Sequence, residues 1–479
     1  MTIVGYVRKK QAAEIEQSPW GIQYRLGSGE YPHEKLLAYL GDAGCIWTRI
    51  TVPWPTIEKE PGTFDWSGLD PIVDGLVERG VNIFLGTSSR SHPAYHDFPE
   101  GYLYPPTEVP EALAAYARYG AEMVRHFRDR VRHFQIWNEP NIPIFWRPKP
   151  DAKAYGRMVR QVSAAMRAVD PDIDVLAGVL AGVGEGPQTF AHTFLSEPGV
   201  PEAFDIFDYH AYNPSPDATL DDVLAMKALV HAFAPEMPLW QGECGCPSSG
   251  DTIHYRGDAP WGYNVQSKWL LRRLLTDRLA GAEVSVYFLI VEFFGNLKPG
   301  SPELRTGYNT KGLIQHDTWQ PKPAYYTFQN LAACIDSTWE QVEESVEAEV
   351  VDPGVFYGMG PHEERFPCVI RRLPMRRDGV PMLALWIPWR PQEIVEPATV
   401  DVTWDGVEWN APVVVDLMTG EVTEAERAAQ GSGQTLRVPV SDCPMLLAER
   451  AALNLADTPQ QPGYDEIVSK LRWTFPISR

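Results

Sequence analysis

Between Trp20 and Asp336 the chain repeats one pattern, in which a short apolar run precedes a longer segment with helical spacing of its apolar residues. A short apolar run predicts a buried strand, whereas apolar residues at i, i+3, i+4 and i+7 predict an amphipathic helix. Alternation of the two is typical of a parallel α/β fold. We interpret eight runs as strands, namely Gly21–Tyr24, Trp47–Val52, Val81–Gly86, His133–Trp137, Asp174–Gly178, Phe204–His210, Pro238–Gly242 and Val284–Ile290.

Helical segments lie between these strands. The segment Leu69–Arg79 places its apolar residues on one face and stops before Gly80, which is a good helix stop signal. Eight strand–helix units predict a (β/α)₈ TIM barrel over residues 18–336, in which every strand ends at the same rim. Further predicted helices are Glu111–Asp129, Ala152–Val169, Leu220–Ala234 and Gln266–Leu279.

The pattern changes after Asp336. Short β-rich runs follow one another there, with turn signals such as Asp378-Gly379 and Asp405-Gly406 between them. We therefore expect residues 337–450 to form an all-β sandwich. Residues 1–17 contain the strand-like run Ile3–Val7, a candidate for an added edge strand, and residues 451–479 are interpreted as a C-terminal tail.

Composition narrows the classes of function. The 479 residues are 44% hydrophobic and include 16 tryptophans, which is ample for two cores. No apolar run is long enough to span a membrane, and the start of the chain lacks the apolar centre of a signal peptide, so we expect a cytoplasmic protein. The formal net charge of −21 argues against a nucleic-acid partner. A homo-oligomer stays open.

The cysteines and histidines predict no cofactor. Six cysteines are scattered along the chain, which indicates free thiols. Cys244 and Cys246 stand one residue apart, but no second Cys/His cluster with ligand spacing accompanies them. The 11 histidines show no metal-ligand spacing either. We therefore expect neither a metal nor an organic cofactor.

The strongest functional signal is a pair of glutamates that come directly after apolar strands. Glu139 lies in the motif Trp-Asn-Glu-Pro-Asn after the fourth strand, and Glu243 lies in Trp-Gln-Gly-Glu-Cys-Gly at the seventh. Because parallel barrel strands end at one rim, both carboxyl groups should face the same site. Two carboxyl groups are the minimum for hydrolysing a glycosidic bond, since one protonates the leaving oxygen and the other attacks the anomeric carbon or activates water.

These motifs resemble those of clan A retaining glycoside hydrolases. The likeness is greatest to family 39, which includes β-xylosidases and α-L-iduronidases, and families 5 and 30 are close competitors. In that clan an Asn-Glu pair closes the fourth strand and a second glutamate closes the seventh, positions taken here by Asn138-Glu139 and Glu243. Arg49 on the second strand and Asp208–Tyr212 at the end of the sixth extend the resemblance.

The resemblance implies a double displacement with Glu139 as acid/base and Glu243 as nucleophile. Glu243 would be kept ionised by Arg49 and by either the hydroxyl of Tyr212 or an imidazole N–H of His210. The negative charge of Glu243 would raise the proton affinity of Glu139. We expect a carboxyl separation of about 5–5.5 Å and retention of configuration.

Further candidates for sugar contacts lie in or beside the predicted rim loops. An asparagine beside the acid/base can hydrogen-bond the sugar 2-hydroxyl, and aromatic faces suit the C–H faces of sugars. A carboxylate beyond the eighth strand is the rival of the two glutamates. These candidates are Asn138, His92, Trp137, Trp261 and Glu292.

Aromatic-rich loops after the fourth and seventh strands favour exo action on a short β-linked oligosaccharide or glycoconjugate, with a small carbohydrate as the partner. The sugar itself stays open, although an arginine aimed at its C5 substituent, Arg90 or Arg256, would select a uronide. Two alternatives are an endo-acting β-glycanase with an open groove and a catalytically silent barrel that binds carbohydrate.

Overall fold

The computed structural model describes residues 2–27, 31–87, 89–96, 104–249, 261–296, 306–353, 355–357, 369–389, 391–428 and 434–471. Within these ranges it contains a closed parallel barrel surrounded by helices, followed by antiparallel sheets. The predicted fold class, a (β/α)₈ barrel with a C-terminal β-sandwich, is confirmed.

Eight parallel strands close the barrel, and their order around it follows their order in the chain. Strand 4 ends two residues earlier than predicted, because Trp137 has a positive φ of 69°, outside the extended region. Strand 5 runs further than predicted, to Ala181. Barrel strands 1 to 8 are Trp20–Ile22, Trp47–Thr51, Asn82–Gly86, His133–Gln135, Asp174–Ala181, Ile206–His210, Leu239–Cys244 and Val284–Tyr287.

Helices follow the strands and cover the barrel. One begins at Ala152 because the side chain of Asp151 accepts hydrogen bonds from the backbone N–H groups of Lys153 and Ala154. Among the described residues, no helix has the length and apolar character needed to cross a membrane. The principal helices are His33–Asp42, Asp70–Glu78, Pro110–Phe127, Ala152–Arg167, Glu185–Leu195, Leu220–Phe233, Tyr263–Leu279 and Pro323–Cys334.

The barrel interior is packed below the rim. Trp240 on strand 7 lies there, three residues before Glu243, so the packed layer supports the site from beneath. A much larger apolar cluster lies between the strands and the surrounding helices. The interior layer comes from five different strands and consists of Phe84, Leu176, Ile206, Trp240, Val284 and Val286.

Two antiparallel sheets form the sandwich. The run Ile3–Val7 joins the larger sheet by pairing with Glu421–Glu424, and Leu455–Ala456 from the tail pairs on its other side and takes the edge position. In order, the larger sheet is Glu340–Gln341, Arg371–Arg377, Val380–Trp386, Met445–Glu449, Pro412–Asp416, Glu421–Glu424, Ile3–Val7 and Leu455–Ala456. The smaller is Val346–Asp352, Ala398–Trp404, Leu436–Val440 and Glu426–Arg427.

Short elements complete the described chain. Three two-stranded antiparallel ribbons pair Glu58–Glu60 with Thr63–Phe64, Phe293–Asn296 with Thr306–Asn309, and Val355–Tyr357 with Ile394–Glu396. Short helices span Trp54–Ile57 and, in the tail, Tyr464–Ser469. The sequence of the tail also contains an apolar patch from Leu471 to Ile477, of which all but Leu471 lies outside the described residues.

Buried charges join the sandwich to the barrel. Lys268 Nζ, on the helix after strand 7, lies 2.9 Å from Asp442 of the sandwich. One turn later on that helix, Arg272 pairs with Asp217, which also accepts from the indole N–H of Trp386. Since removing one partner of a buried pair leaves the other charge unpaired, these contacts hold the sandwich in one position against the helix behind the seventh strand.

Candidate active site

The two glutamates meet at the carboxyl rim of the barrel. Glu139 lies four residues beyond the end of strand 4, and Glu243 lies within strand 7. One carboxylate oxygen of each glutamate and one ring nitrogen of His210 all lie within 4.8 Å of one another. This short spacing of the carboxyl groups is suited to direct attack by one glutamate. Activation of a water between them would need a separation of roughly 6.5–9.5 Å.

A distorted backbone presents Glu139. Both Trp137 and Glu139 have positive φ values, 69° and 46°, which are uncommon for residues other than glycine and recur at functional sites. Neighbouring contacts hold this shape: the Glu139 N–H donates to the Val179 carbonyl at 2.9 Å. The side chain of Asn141 donates to and accepts from the backbone of Ala181 at 3.0 and 2.8 Å. The last asparagine of the motif therefore ties the loop to strand 5.

Glu243 is surrounded by donors. Arg49, almost fully buried, places one terminal nitrogen 2.5 Å from Glu243 Oε2 and donates from the other to Asn138 Oδ1 at 2.6 Å. Its Nε donates to the side chain of Gln135 at 2.8 Å. The hydroxyl of Tyr212 donates to Glu243 Oε1 at 2.7 Å. Both carboxylate oxygens therefore accept a hydrogen bond, and Oε2 also lies against the positive charge of the guanidinium.

Glu139 is surrounded differently. His210 Nδ1 lies 2.9 Å from Glu139 Oε1, and burial lowers the pKa of His210 to about 3, so the imidazole is neutral. Burial also raises the pKa of Glu139 to about 7, against a smaller lowering by Arg49. We expected the negative charge of Glu243 to raise the pKa of Glu139, but burial is the main cause of the increase. A carboxyl group that keeps its proton near neutral pH is suited to acid catalysis.

His210 was one of two predicted partners of Glu243, and the structure places it on Glu139 instead. His210 is the last residue of strand 6, and Tyr212, two residues beyond the end of that strand, is the one that reaches the seventh strand. Sequence spacing puts both residues at the rim but does not determine which carboxylate each side chain faces.

A third buried carboxyl group, Asp208, lies beneath the pair. It accepts from the Gly242 N–H at 2.7 Å and from the side-chain amide of Gln135, and burial raises its pKa to about 7. A Cβ at position 242 would come within 2.4 Å of the Asp208 carboxylate oxygens, so only glycine fits. The glycine before the second glutamate, read in the sequence only as motif context, thus makes room for Asp208.

A cavity of about 790 Å³ opens above these groups. Five of the predicted residues line the cavity. Arg49 is not part of the lining, but it contacts Glu243, which is. Arg90 also lines the cavity and is exposed, whereas Arg256 lies outside the described residues. The lining consists of Arg25, Thr51, Pro53, Thr56, Ser89, Arg90, Asn138, Glu139, Ile142, Ile144, Phe145, Ala181, Gly182, His210, Tyr212, Glu243, Phe288, Phe293, Asn309 and Lys311.

Four predicted sugar contacts are not part of this lining. Glu292 is buried and forms an ion pair with Lys322 at 2.7 Å, so the rival carboxylate has a structural partner. His92 Nε2 lies 2.5 Å from the carbonyl of Glu58. Trp137 is fully buried, and its indole N–H donates to the Phe145 carbonyl at 3.1 Å. Trp261 packs half-buried against the apolar core. These four residues lie near strand ends in the sequence, but none of them is among the described residues that line the cavity.

Two cations of the lining were missed. The Lys311 ammonium is buried near Glu243, and burial lowers its pKa to about 8. The Arg25 guanidinium lies over the ring of Phe293, 4.1 Å from its centroid. Arg25 directly follows the predicted first strand, and Lys311 lies 21 residues beyond the predicted eighth strand, positions that many surface cations share.

The cluster of Glu139, His210 and Glu243 also has the geometry of three metal ligands. Its surroundings fit a cation poorly, because Glu243 already contacts the Arg49 guanidinium and the hydroxyl of Tyr212. A second positive charge beside Arg49 would be repelled. The cluster is better suited to proton transfer and nucleophilic attack than to metal binding.

Fold and site together match the class predicted from the motifs, and sequence comparisons point to the same class. A family model described as beta-galactosidase, of glycoside hydrolase family 42, matches residues 31–135, a stretch that ends before both glutamates. A β-xylosidase from Geobacillus stearothermophilus is 33% identical over 96 residues, which cover 20% of this chain and 17% of that protein. The match thus spans a small part of the β-xylosidase.

Solved structures extend the likeness to the whole fold. A family 39 glycoside hydrolase from Bacteroides cellulosilyticus has a TM-score of 0.70 at 18% identity, covering 93% of this chain and 83% of its own. A monomeric β-xylosidase from Caulobacter crescentus scores 0.56 at 16% identity, with coverage of 93% and 98%. A family 30 endoxylanase from Clostridium papyrosolvens scores 0.60 at 11%, also with 93% and 98%. The predicted resemblance to clan A glycoside hydrolases is confirmed.

Proposed function

We propose that the chain is a retaining glycoside hydrolase acting on a β-linked glycoside, with Glu139 as acid/base and Glu243 as nucleophile. The observation that carries the proposal is the pair of facing carboxyl groups in opposite surroundings. One is buried beside a neutral imidazole and has its pKa raised to about 7. The other contacts a guanidinium and a phenol hydroxyl. Acid and nucleophile are thereby distinguished before substrate binds.

In the first step the Glu243 carboxylate attacks the anomeric carbon while Glu139 gives its proton to the departing oxygen. The C–O bond to the leaving group breaks, and an ester bond to Glu243 forms. Asn138 accepts from Arg49 through Oδ1, which orients its amide N–H groups toward the cavity that it lines. A hydrogen bond from this amide to the sugar 2-hydroxyl would strengthen as positive charge develops at the anomeric carbon.

In the second step Glu139, now ionised, takes a proton from water, which attacks the anomeric carbon and releases Glu243. The charge of Arg49 and the hydroxyl of Tyr212 stabilise the carboxylate that leaves. His210 Nδ1–H is placed to donate to the ionised Glu139 between the two steps. Two inversions at one carbon return the starting configuration.

The cavity supports exo action on a short oligosaccharide or glycoconjugate. Its volume of about 790 Å³ is that of a pocket for a small ligand. An endo-acting enzyme would need an open groove. Because the named relatives include β-xylosidases, a β-xyloside is the first substrate to try. The cytoplasmic location and the oligomeric state stay predictions.

A panel of aryl β-glycosides tests the proposal, with wild type, Glu139→Gln and Glu243→Gln compared on each sugar. We expect one sugar to be hydrolysed, no turnover by Glu243→Gln, and turnover by Glu139→Gln that falls steeply as the leaving group becomes poorer. Glu292→Gln is the matched control, because that glutamate also follows a barrel strand but is paired with Lys322. Activity that survives in Glu243→Gln and disappears in Glu292→Gln would contradict the assignment, and binding without hydrolysis would favour the silent barrel.

A further inference from the structure

The cavity has two chemically different halves. The closed strand order places strands 3, 4 and 5 on one side and strands 7, 8 and 1 on the other. Segments after strands 1 and 8 contribute Arg25, Asn309 and Lys311 on the side of the nucleophile, together with the rings of Phe288 and Phe293. The loop after strand 4 contributes three apolar side chains beside the acid/base, namely Ile142, Ile144 and Phe145, which we call the apolar wall.

The apolar wall is held firmly although its side chains are only half-buried. Backbone N–H groups of Phe145 and Trp146 both donate to the Ile142 carbonyl, at 3.1 and 3.0 Å. The Phe145 carbonyl in turn accepts from the indole of Trp137. Trp146, which is 2% exposed, packs edge-on against Trp137 with a centroid distance of 5.7 Å. Two buried tryptophans therefore support the wall and present its side chains to the cavity.

The position of the wall relates it to the leaving group. Glu139 must lie beside the oxygen that it protonates, so the leaving group contacts the surface that surrounds Glu139. That surface begins with Ile142, whose N–H donates to the Glu139 carbonyl at 3.3 Å. It continues with Ala181 and Gly182 from strand 5. The glycon, whose anomeric carbon must reach Glu243, then lies on the opposite side, which carries Arg25, Asn309 and Lys311 as well as two phenylalanines.

A leaving sugar would be poorly served by this surface. Its hydroxyl groups lose water on binding and need new hydrogen-bond partners, which aliphatic and phenyl side chains do not provide. Among the described lining residues from strands 3 to 5, Ser89 and the exposed Arg90 offer polar side chains away from the catalytic motif. An apolar group, in contrast, would gain free energy in proportion to the area that it buries there.

We propose that the leaving group is an apolar alcohol or phenol, so that the substrate is the glycoside of an apolar aglycone rather than an oligosaccharide. This inference rests on the proposed function, since it needs Glu139 as the acid. The glycosidic bond breaks as above, and the aglycone leaves as the free alcohol with the Glu139 proton.

Alkyl glycosides of the sugar found with the aryl panel test this inference. Methyl and hexyl glycosides have alkanol leaving groups of similar acidity, so a difference in kcat/KM reports binding of the chain. We expect the hexyl glycoside to exceed the methyl glycoside at least about tenfold, because several methylene groups would be buried. The hexyl glycoside should also exceed the β-linked disaccharide of the same sugar, although a sugar hydroxyl is the better leaving group.

Variants of the wall separate contact from general damage. Ile142→Asn should lower the hexyl-to-methyl ratio severalfold, and Ile142→Leu should restore most of it. Ile394→Asn is the matched control, since Ile394 is 64% exposed on a distant strand, and it should leave the ratio unchanged. This inference alone would be overturned if the disaccharide were preferred over the hexyl glycoside and the hexyl-to-methyl ratio were unchanged in Ile142→Asn. No hydrolysis of any glycoside would overturn the proposed function and this inference together.

Discussion

The ends of barrel strands 4 and 7 hold the same residue type in opposite surroundings. At strand 4, Glu139 is 7% exposed and contacts a neutral imidazole, and its pKa is raised to about 7 by burial. At strand 7, the Glu243 side chain is 15% exposed and contacts the guanidinium of Arg49 and the hydroxyl of Tyr212. The role of each glutamate is therefore set by its neighbours, since burial keeps the proton on Glu139 whereas Arg49 and Tyr212 both donate to the carboxylate of Glu243.

Replacing either glutamate with alanine should separate the two ends most strongly. We expect Glu243→Ala to lower kcat/KM by about 10⁴-fold or more, because the nucleophile is gone. Azide should partly restore turnover of an activated aryl glycoside, attacking from the vacated side to give the α-glycosyl azide. In Glu139→Ala, azide should instead attack the ester on Glu243 and give the β-glycosyl azide. Product analysis by NMR distinguishes them, and the same azide anomer from both variants would contradict the comparison.

Removing the charge at strand 7 should have the next largest effect. Arg49→Met deletes hydrogen bonds to Glu243, Asn138 and Gln135, and we expect a loss in kcat/KM of about 10²-fold or more. Lys268→Met is the matched control, because it also removes a buried cation but at the barrel–sandwich contact. It should lower Tm and leave kcat/KM largely intact. Equal losses of activity in both variants would mean that Arg49 acts only through stability.

The proton at strand 4 should appear in the pH dependence of activity. Because Glu139 must be protonated to act as the acid, kcat/KM should fall about tenfold per pH unit above pH 7. Glu139→Gln, assayed with an activated leaving group, should lose this limb. Lys311 titrates nearby, with a pKa lowered to about 8. Lys311→Met should therefore retain the fall in kcat/KM above pH 7. If this fall disappears in Lys311→Met, it reports the titration of Lys311 and not that of Glu139.

The same proton should affect stability, with a definite sign. The folded protein keeps the Glu139 proton up to about pH 7, whereas an unfolded glutamate releases it near 4.5. The folded state thus binds more protons between these values, and its stability falls as pH rises through them. The free energy of unfolding of Glu139→Gln, measured relative to that of the wild type, should therefore increase by up to about 3 kcal/mol from pH 4.5 to pH 8. Denaturant unfolding at both pH values measures this gain, and a gain toward low pH would contradict it.

The smallest expected effect concerns the phenol at strand 7. Tyr212→Phe removes one hydrogen bond of 2.7 Å to Glu243 and leaves the Arg49 contact in place. We expect a loss of about tenfold in kcat/KM, the order of one hydrogen bond to a charged group. Tyr325→Phe, which removes a hydroxyl bonded to the Tyr39 carbonyl away from the site, is the control. A loss in kcat/KM as large as that of Arg49→Met would mean that the hydroxyl of Tyr212 contributes as much as Arg49 to stabilising the Glu243 carboxylate.

Sequence reasoning predicted the elements that periodicity and strand order determine. The eight barrel strands and the meeting of Glu139 with Glu243 follow from apolar runs and from the common rim of parallel strands. The contact of Arg49 with Glu243 was also expected, from the resemblance to clan A glycoside hydrolases. Both the fold and the centre of the site were thus accessible without coordinates.

The remaining site residues depend on side-chain direction and loop path, which a motif does not contain. Glu292 follows a strand, as the catalytic glutamates do, but a lysine from a later loop pairs with it. His210 contacts Glu139, although Tyr212, only two residues further along the chain, contacts Glu243. Asp208 was missed because a buried aspartate on a strand gives no separate signal, and only the missing Cβ at Gly242 shows that space is made for it.

The most direct test of the account is to trap the covalent intermediate on the strand 7 glutamate. An activated 2-deoxy-2-fluoro glycoside of the preferred sugar slows both steps, so the ester persists long enough for digestion and mass spectrometry. We expect one sugar per chain, attached to Glu243 in the segment Trp240–Gly245. A label on Glu139 or Glu292, or turnover that yields the inverted sugar with no label, would contradict the assignment of nucleophile and acid.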